Sequence, residues 1–167
     1  MTTYEKYLSL TFDSSRISLE KAGYTDYFCY PVNARAIGYE GSIMYCFIDG
    51  YGETVFSSNP ESCAEGRNVY PLAKNFKDFI RLILACGSAN PVEQIVWMDR
   101  QQFEQHLQEE RRVQTVEQRN ILTLLEKELQ ITAMQEPYEY VRELQSDFDY
   151  SKIEYSDEYY EVLGIER

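Results

Sequence analysis

One histidine and one tryptophan among 167 residues leave little room for several common chemistries. With His106 alone, a metal site would have to rest on carboxylates and thiols. The four cysteines, Cys29, Cys46, Cys63 and Cys86, contain no C-x-x-C pair, which argues against a zinc knuckle or a thioredoxin-like centre. Cys29, Cys46 and Cys86 lie inside the apolar runs YFCY, MYCFI and ILACG, where a cysteine behaves as a small buried hydrophobe, and the thiols are expected to be reduced. No G-x-S-x-G elbow offers a nucleophilic serine.

Long hydrophobic runs are missing too. The most apolar helical stretch, FIRLILAC, is interrupted by Arg81 and falls far short of the roughly 20 residues of a membrane span. The start, MTTYEKYLSL, has no basic segment leading into an apolar one, so a cytoplasmic location is expected. Positive charge is scarce: 16 Lys and Arg stand against 28 Asp and Glu, for a net charge of −12. That balance disfavours the phosphate backbone of nucleic acid and anionic lipid, and it favours cationic partners.

What the chain has in quantity is tyrosine, 15 residues, with 8 Phe. An apolar ring with a wet hydroxyl suits a half-buried surface or a contact face. The length fits one domain, residues 1–167, able to hold a core without disulfides.

Between about residues 28 and 58 the runs FCYPV, ARAIGYEG, SIMYCFIDG and ETVFSSN are rich in aromatic and β-branched residues and punctuated by turn residues. They read as a sheet. SSNPESCAEGR, 57–67, reads as loop, and SSRISLEKAGY as a short helix closed by Gly23. Helices are predicted over about 75–86, 99–110 and 115–130, with Asn75, Asp99 and Thr115 as N-caps. Gln102 and Gln118, three residues after their caps, suggest capping boxes, and Gly87 closes the first of these helices. Phe76, Phe79, Ile80 and Ile83 repeat at helical spacing and define a buried face. VEQIVWM, β-branched and short, reads as a further strand.

The segment 136–167 differs in character. It holds ten acids against Arg142, Lys152 and Arg167, and so carries seven of the twelve net negative charges, together with six tyrosines. It is too aromatic for a disordered tail and reads as a wrap around the domain, with helices near 138–144 and 157–163. The fold class is therefore α+β: an antiparallel or mixed sheet of about three to five strands flanked by helices, with C-terminal helices wrapping the domain.

Asp49 to Glu53, DGYGE, is the most site-like stretch. It lacks the third glycine and following helix of a dinucleotide loop, and the alternate oxygen ligands of a calcium loop. Asp-Gly between two strand-like runs reads as a hairpin needing positive φ. No cofactor is expected. Glu40, Asp49 and Glu53 fall at hairpin ends and form, at most, a weak case for convergent catalytic carboxylates. His106, with Glu110 one turn on, or a cysteine would complete a hydrolase alternative.

MYCFIDGYGETVFSSNP, a loop, and then VYPLAKNFKDFIRLIL resemble the later half of the SMI1/KNR4 (SUKH) superfamily over about residues 28–87. Asp49, Gly50, Gly52 and Glu53 match its hairpin, and Asn75, Phe76, Asp78, Phe79 and Ile80 its helix start. The usual early segment of that family is not found; FCYPVNARAIGYEG is a distant version of it. The resemblance implies a mixed sheet with flanking helices, no catalytic residues, and a protein-binding role. Bacterial members resemble immunity proteins that neutralise toxin domains, and an acidic, tyrosine-rich chain would suit a basic toxin. Partner contacts are expected at Tyr39, Glu40, Asp49, Tyr51 and Glu53, or in the acidic tail.

Overall fold

A computed structural model describes every residue except Tyr24 and Gly66. Four strands, β1 (Ala34–Glu40), β2 (Ile43–Ile48), β3 (Val55–Ser58) and β4 (Val69–Ala73), form one wholly antiparallel sheet in sequence order. Seven helices are assigned among the described residues: α1 (Thr3–Ser9), α2 (Phe76–Cys86), α3 (Ala89–Gln94), α4 (Arg100–Val113), α5 (Val116–Leu129), α6 (Pro137–Gln145) and α7 (Asp157–Leu163). The domain is α+β, as its alternating runs predict.

β2 explains why the central sequence is so continuously apolar. Tyr45 and Phe47 face the helices, where they meet Phe76, Phe79 and Ile83 in the main core. Met44, Cys46 and Ile48 face the other way and join Phe56 and Val69 in a second core. That second face is covered by Phe148, Ile153 and Tyr155 of the C-terminal segment and by Tyr30. A strand covered on both faces has no polar side, so alternation disappears.

The capping signals hold. The Asn75 side chain accepts from the Asp78 N–H at 2.8 Å, and Gly87 closes α2 at φ 94°. Asp99 and Gln102 form a reciprocal box at the start of α4. Thr115 caps α5, but the box is not reciprocal there: Gln118 Nε2 donates instead to the Gly87 carbonyl at 2.7 Å, tying α5 to the end of α2. The predicted C-terminal helices are present as α6 and α7.

Four local expectations are corrected. FCYPV forms turns, because the Cys29 carbonyl is taken by the Asn68 side chain at 2.7 Å and not by a strand ladder. The described residues of SSRISLEKAGY, which leave out Tyr24, make a 3-10 turn, Ser14–Ile17, closed by Ser18 at φ 64°, and a single bridge from Glu20 to Tyr39; Gly23 lies under the Tyr39 ring. Within 57–67, Ser57 and Ser58 complete β3, and Pro60–Glu65 is a 3-10 turn. VEQIVWM continues α3 into a 3-10 turn, Ile95–Trp97, since Ala89, Val92 and Ile95 are needed three apart on one buried side. The sequence reading also omitted β4. Pro71 conceals it, and the strand accommodates proline because it is a sheet edge with a register shift opposite Val55 and Phe56.

Candidate partner-binding surface

The β2–β3 hairpin is confirmed as a hairpin, with a six-residue connection, Asp49 to Thr54, in place of a tight two-residue turn. Gly50 at φ 100° and Gly52 at φ 61° supply the left-handed positions that connection requires. Asp49 and Glu53 are exposed, and Asp49 pairs with Arg35 at 3.2 Å.

Tyr51 is not a free contact residue. Its hydroxyl donates to the Asp149 carbonyl at 2.8 Å and accepts from the Lys152 N–H at 3.0 Å. Its ring stacks on Phe148 and meets Phe56 edge-on. Burial pushes its phenol above the ordinary range, partly offset by the Lys152 N–H. Asn33 completes the junction: its amide donates to the Asp49 and Lys152 carbonyls at 3.1 and 3.0 Å, and its oxygen accepts from the Glu154 N–H at 3.0 Å. The Val32 N–H donates to the Glu154 carbonyl at 2.8 Å.

The hairpin loop and residues 149–154 therefore form one corner. It displays Asp49, Glu53, Asp149 and Glu154, all exposed. Hydrogen bonds from Ser151 hold the Asp149 carboxyl below the ordinary carboxylate range, so its charge persists into mildly acidic solution. Lys152 is occupied by the Gly50 carbonyl at 3.2 Å. Elsewhere in 136–167 every acid except Glu139 is exposed; Glu139 pairs with Arg100 and Asp157 with Arg167. The six tyrosines of the segment are buried or half-buried. Tyr138 donates to the Met98 carbonyl and Tyr140 to Asp78, while Tyr155 and Tyr159 stack at 3.8 Å. The rings attach the segment to the domain, and the acids face solvent.

Tyr39 and Glu40 lie at the far end of β1, separated from this corner by the length of β2, roughly 20 Å at strand rise. Tyr39 exchanges backbone hydrogen bonds with Glu20 at 2.7 and 2.8 Å. Glu40 is half-buried and accepts from Tyr45 Oη at 3.2 Å and Asn90 Nδ2 at 3.1 Å. Glu93, 2% exposed, accepts from Asn59 at 3.2 Å and from Gln94. Burial raises the carboxyls of both Glu40 and Glu93. Glu40 is thus engaged with Tyr45 and Asn90 and does not converge with Asp49 and Glu53, and the buried Glu93 was missed in the sequence reading. No spacing rule links Glu40 to Glu93.

His106 is half-buried on α4, with Nε2 buried and unpartnered among the described residues. A cleft of about 670 Å³ runs between α2, α4 and α6 over Phe103, Leu107 and Tyr138, with Arg100, Glu104 and Arg111 at its sides. His106 and the cysteines do not line it. No helix among the described residues is long and apolar enough to cross a membrane. No protein-family model, curated protein or solved structure matches the chain.

Proposed function

We propose that the chain is a non-catalytic, cytoplasmic protein-binding module, of the kind the SUKH resemblance implies, whose partner is cationic. An immunity protein that masks a basic toxin domain is the specific form of this reading. The observation that carries it is the corner where Asp49, Glu53, Asp149 and Glu154 are all exposed on backbone held by Tyr51 and Asn33. Fixed like-sign charges attract an oppositely charged protein from a distance and order it on arrival, without the ordering cost of a loose acidic tail.

The test is affinity capture from a lysate of the source organism at low salt, followed by a salt gradient and by a triple variant, Glu53→Lys, Asp149→Lys and Glu154→Lys. A basic protein retained in stoichiometric amount, released as salt rises, and lost by the variant is the expected result. Capture that the variant leaves unchanged would place the contact elsewhere. All three side chains are exposed, so the variant should keep the parent circular dichroism spectrum.

A further inference from the structure

An open cleft of about 230 Å³ lies between the start of the β3–β4 connection, Asn59, Glu61 and Ser62, and the end of α3 with its 3-10 continuation, Gln94 and Trp97. It sits beyond the opposite end of β3 from the hairpin corner. Its walls are fixed. Asn59 ties three parts of the chain together: its N–H donates to the Asn68 carbonyl at 2.8 Å, its Oδ1 accepts from the Glu61 N–H at 3.0 Å, and its Nδ2 donates to Glu93 Oε1 at 3.2 Å. The Ser62 N–H and hydroxyl both donate to the Asn59 carbonyl, at 3.1 and 2.8 Å. On the other wall Gln94 donates to Glu93 Oε2, and the Trp97 ring makes a T-shaped contact with Tyr70 of β4 at 5.7 Å.

Two features of this pocket point to a cation. Glu93 is 2% exposed and both its donors, Asn59 and Gln94, are neutral, so its charge is buried without a counter-ion. Both donors line the pocket, which puts a group seated there one side chain away from that carboxylate. Trp97, the one tryptophan of the chain, is 39% exposed and leaves part of its indole bare at the same pocket. The exposed Glu61 adds a second acid, and no Lys or Arg among the described residues lines the cleft. An aromatic ring beside carboxylates is the pairing that recognises an organic cation.

We propose that this pocket binds an arginine side chain of a protein partner, with the guanidinium stacked on Trp97, its donors on the Glu61 carboxylate and its charge offsetting that of Glu93. A guanidinium is planar, so it stacks on a ring while its N–H groups donate in the plane; an ammonium is a strongly hydrated point charge and does not stack. The volume holds one such head group and falls below that of a site for a drug-sized ligand. The pocket is a second foothold, separate from the hairpin corner. It rests on the cationic-partner reading only for which protein carries the arginine.

Because Trp97 is the only tryptophan, its emission reports on this pocket alone. The full chain is titrated at moderate salt and mildly alkaline pH, which favours the ionised Glu93, with N-acetyl-arginine amide. Its neutral isostere, N-acetyl-citrulline amide, and N-acetyl-lysine amide are titrated in parallel. The arginine probe should change the Trp97 emission saturably in the millimolar range, the lysine probe more weakly, and the citrulline probe not at all. Glu61→Gln and Glu93→Gln, both close in shape to the parent residues, should each weaken the arginine response roughly threefold or more with the circular dichroism spectrum unchanged. The triple variant of the hairpin corner, Glu53→Lys, Asp149→Lys and Glu154→Lys, should leave it within about twofold, since salt screens charges at that distance. A response that citrulline reproduces, that lysine matches, that both Gln variants leave unchanged, or that never saturates at millimolar probe would overturn the proposal. So would loss of the response in the corner variant, which would mark a diffuse effect of negative charge. The probes are small molecules, so the result does not depend on a partner being present in a lysate: failure here leaves the corner standing, and failure of the capture leaves this pocket standing.

Discussion

Tyr51 Oη and the Asp149 carbonyl, 2.8 Å apart, join the β2–β3 hairpin to a segment almost a hundred residues later in the chain. The same oxygen accepts the Lys152 N–H, so one side chain satisfies both ends of a turn. Tyr51→Phe keeps the ring stacked on Phe148 and removes both bonds. Since Asp149 and Lys152 are exposed and can turn to water, the cost should be about 1 kcal/mol. Urea unfolding would report it, and hydrogen exchange should show faster opening confined to residues near 149–154.

Phe148 closes the second face of the sheet, meeting Tyr51, Phe56 and Tyr150. Phe148→Ala should cost roughly 2–3 kcal/mol, below the range for a fully buried phenylalanine, because the ring is only half-buried. Limited proteolysis is the discriminating readout. Cleavage should appear between α6 and α7 while the sheet and the remaining helices stay protected. Uniform degradation would show instead that the segment unfolds only with the whole domain.

Glu93 is 2% exposed, and its hydrogen-bond donors, Asn59 and Gln94, are neutral. Burial raises its carboxyl above the ordinary value of 4.5, so the folded state holds that proton more tightly than the unfolded state does. Its contribution therefore lowers stability as pH rises from about 4.5 through the folded-state value, and the loss is complete above it. Glu93→Gln should remove this dependence and leave the protein more stable than wild type by on the order of 1 kcal/mol near pH 8. Urea midpoints measured across that range test it. A variant less stable than wild type at every pH would mean that the carboxylate's hydrogen bonds outweigh its burial.

Asn68 donates to the Cys29 carbonyl at 2.7 Å and to Ser58 Oγ at 3.1 Å from a fully enclosed position. Asn68→Ala leaves a buried carbonyl without a donor and should cost about 2–3 kcal/mol. Asn68→Asp should cost at least as much, because it sets a carboxylate oxygen against that carbonyl. Thermal unfolding of the two variants beside wild type checks the order.

Composition and periodicity together determined the class of this fold. The caps at Asn75, Asp99 and Thr115 and the apolar spacing of Phe76, Phe79, Ile80 and Ile83 are local signals, because a helix satisfies its own backbone within four residues. The positive φ at Gly50 and Gly52 was legible for the same reason: a turn is decided by the residues in it. The readings failed where a distant group decided the conformation. FCYPV has strand composition, but Asn68 takes its carbonyl; VEQIVWM has β-branched residues, but its burial pattern follows the core above it.

The site divides in the same way. Acidity, and the tail's double nature as acidic and aromatic, could be read directly from the chain. Only the tertiary structure decided that the tail's rings face inward and its acids outward. It also joined Asp49 and Glu53 to Asp149 and Glu154 and put Glu40 apart from them. A sequence records which groups a chain carries and how neighbours along it compete. Which groups meet across the fold depends on how the two faces of one sheet are covered, and that is settled by packing between segments that carry no local trace of each other.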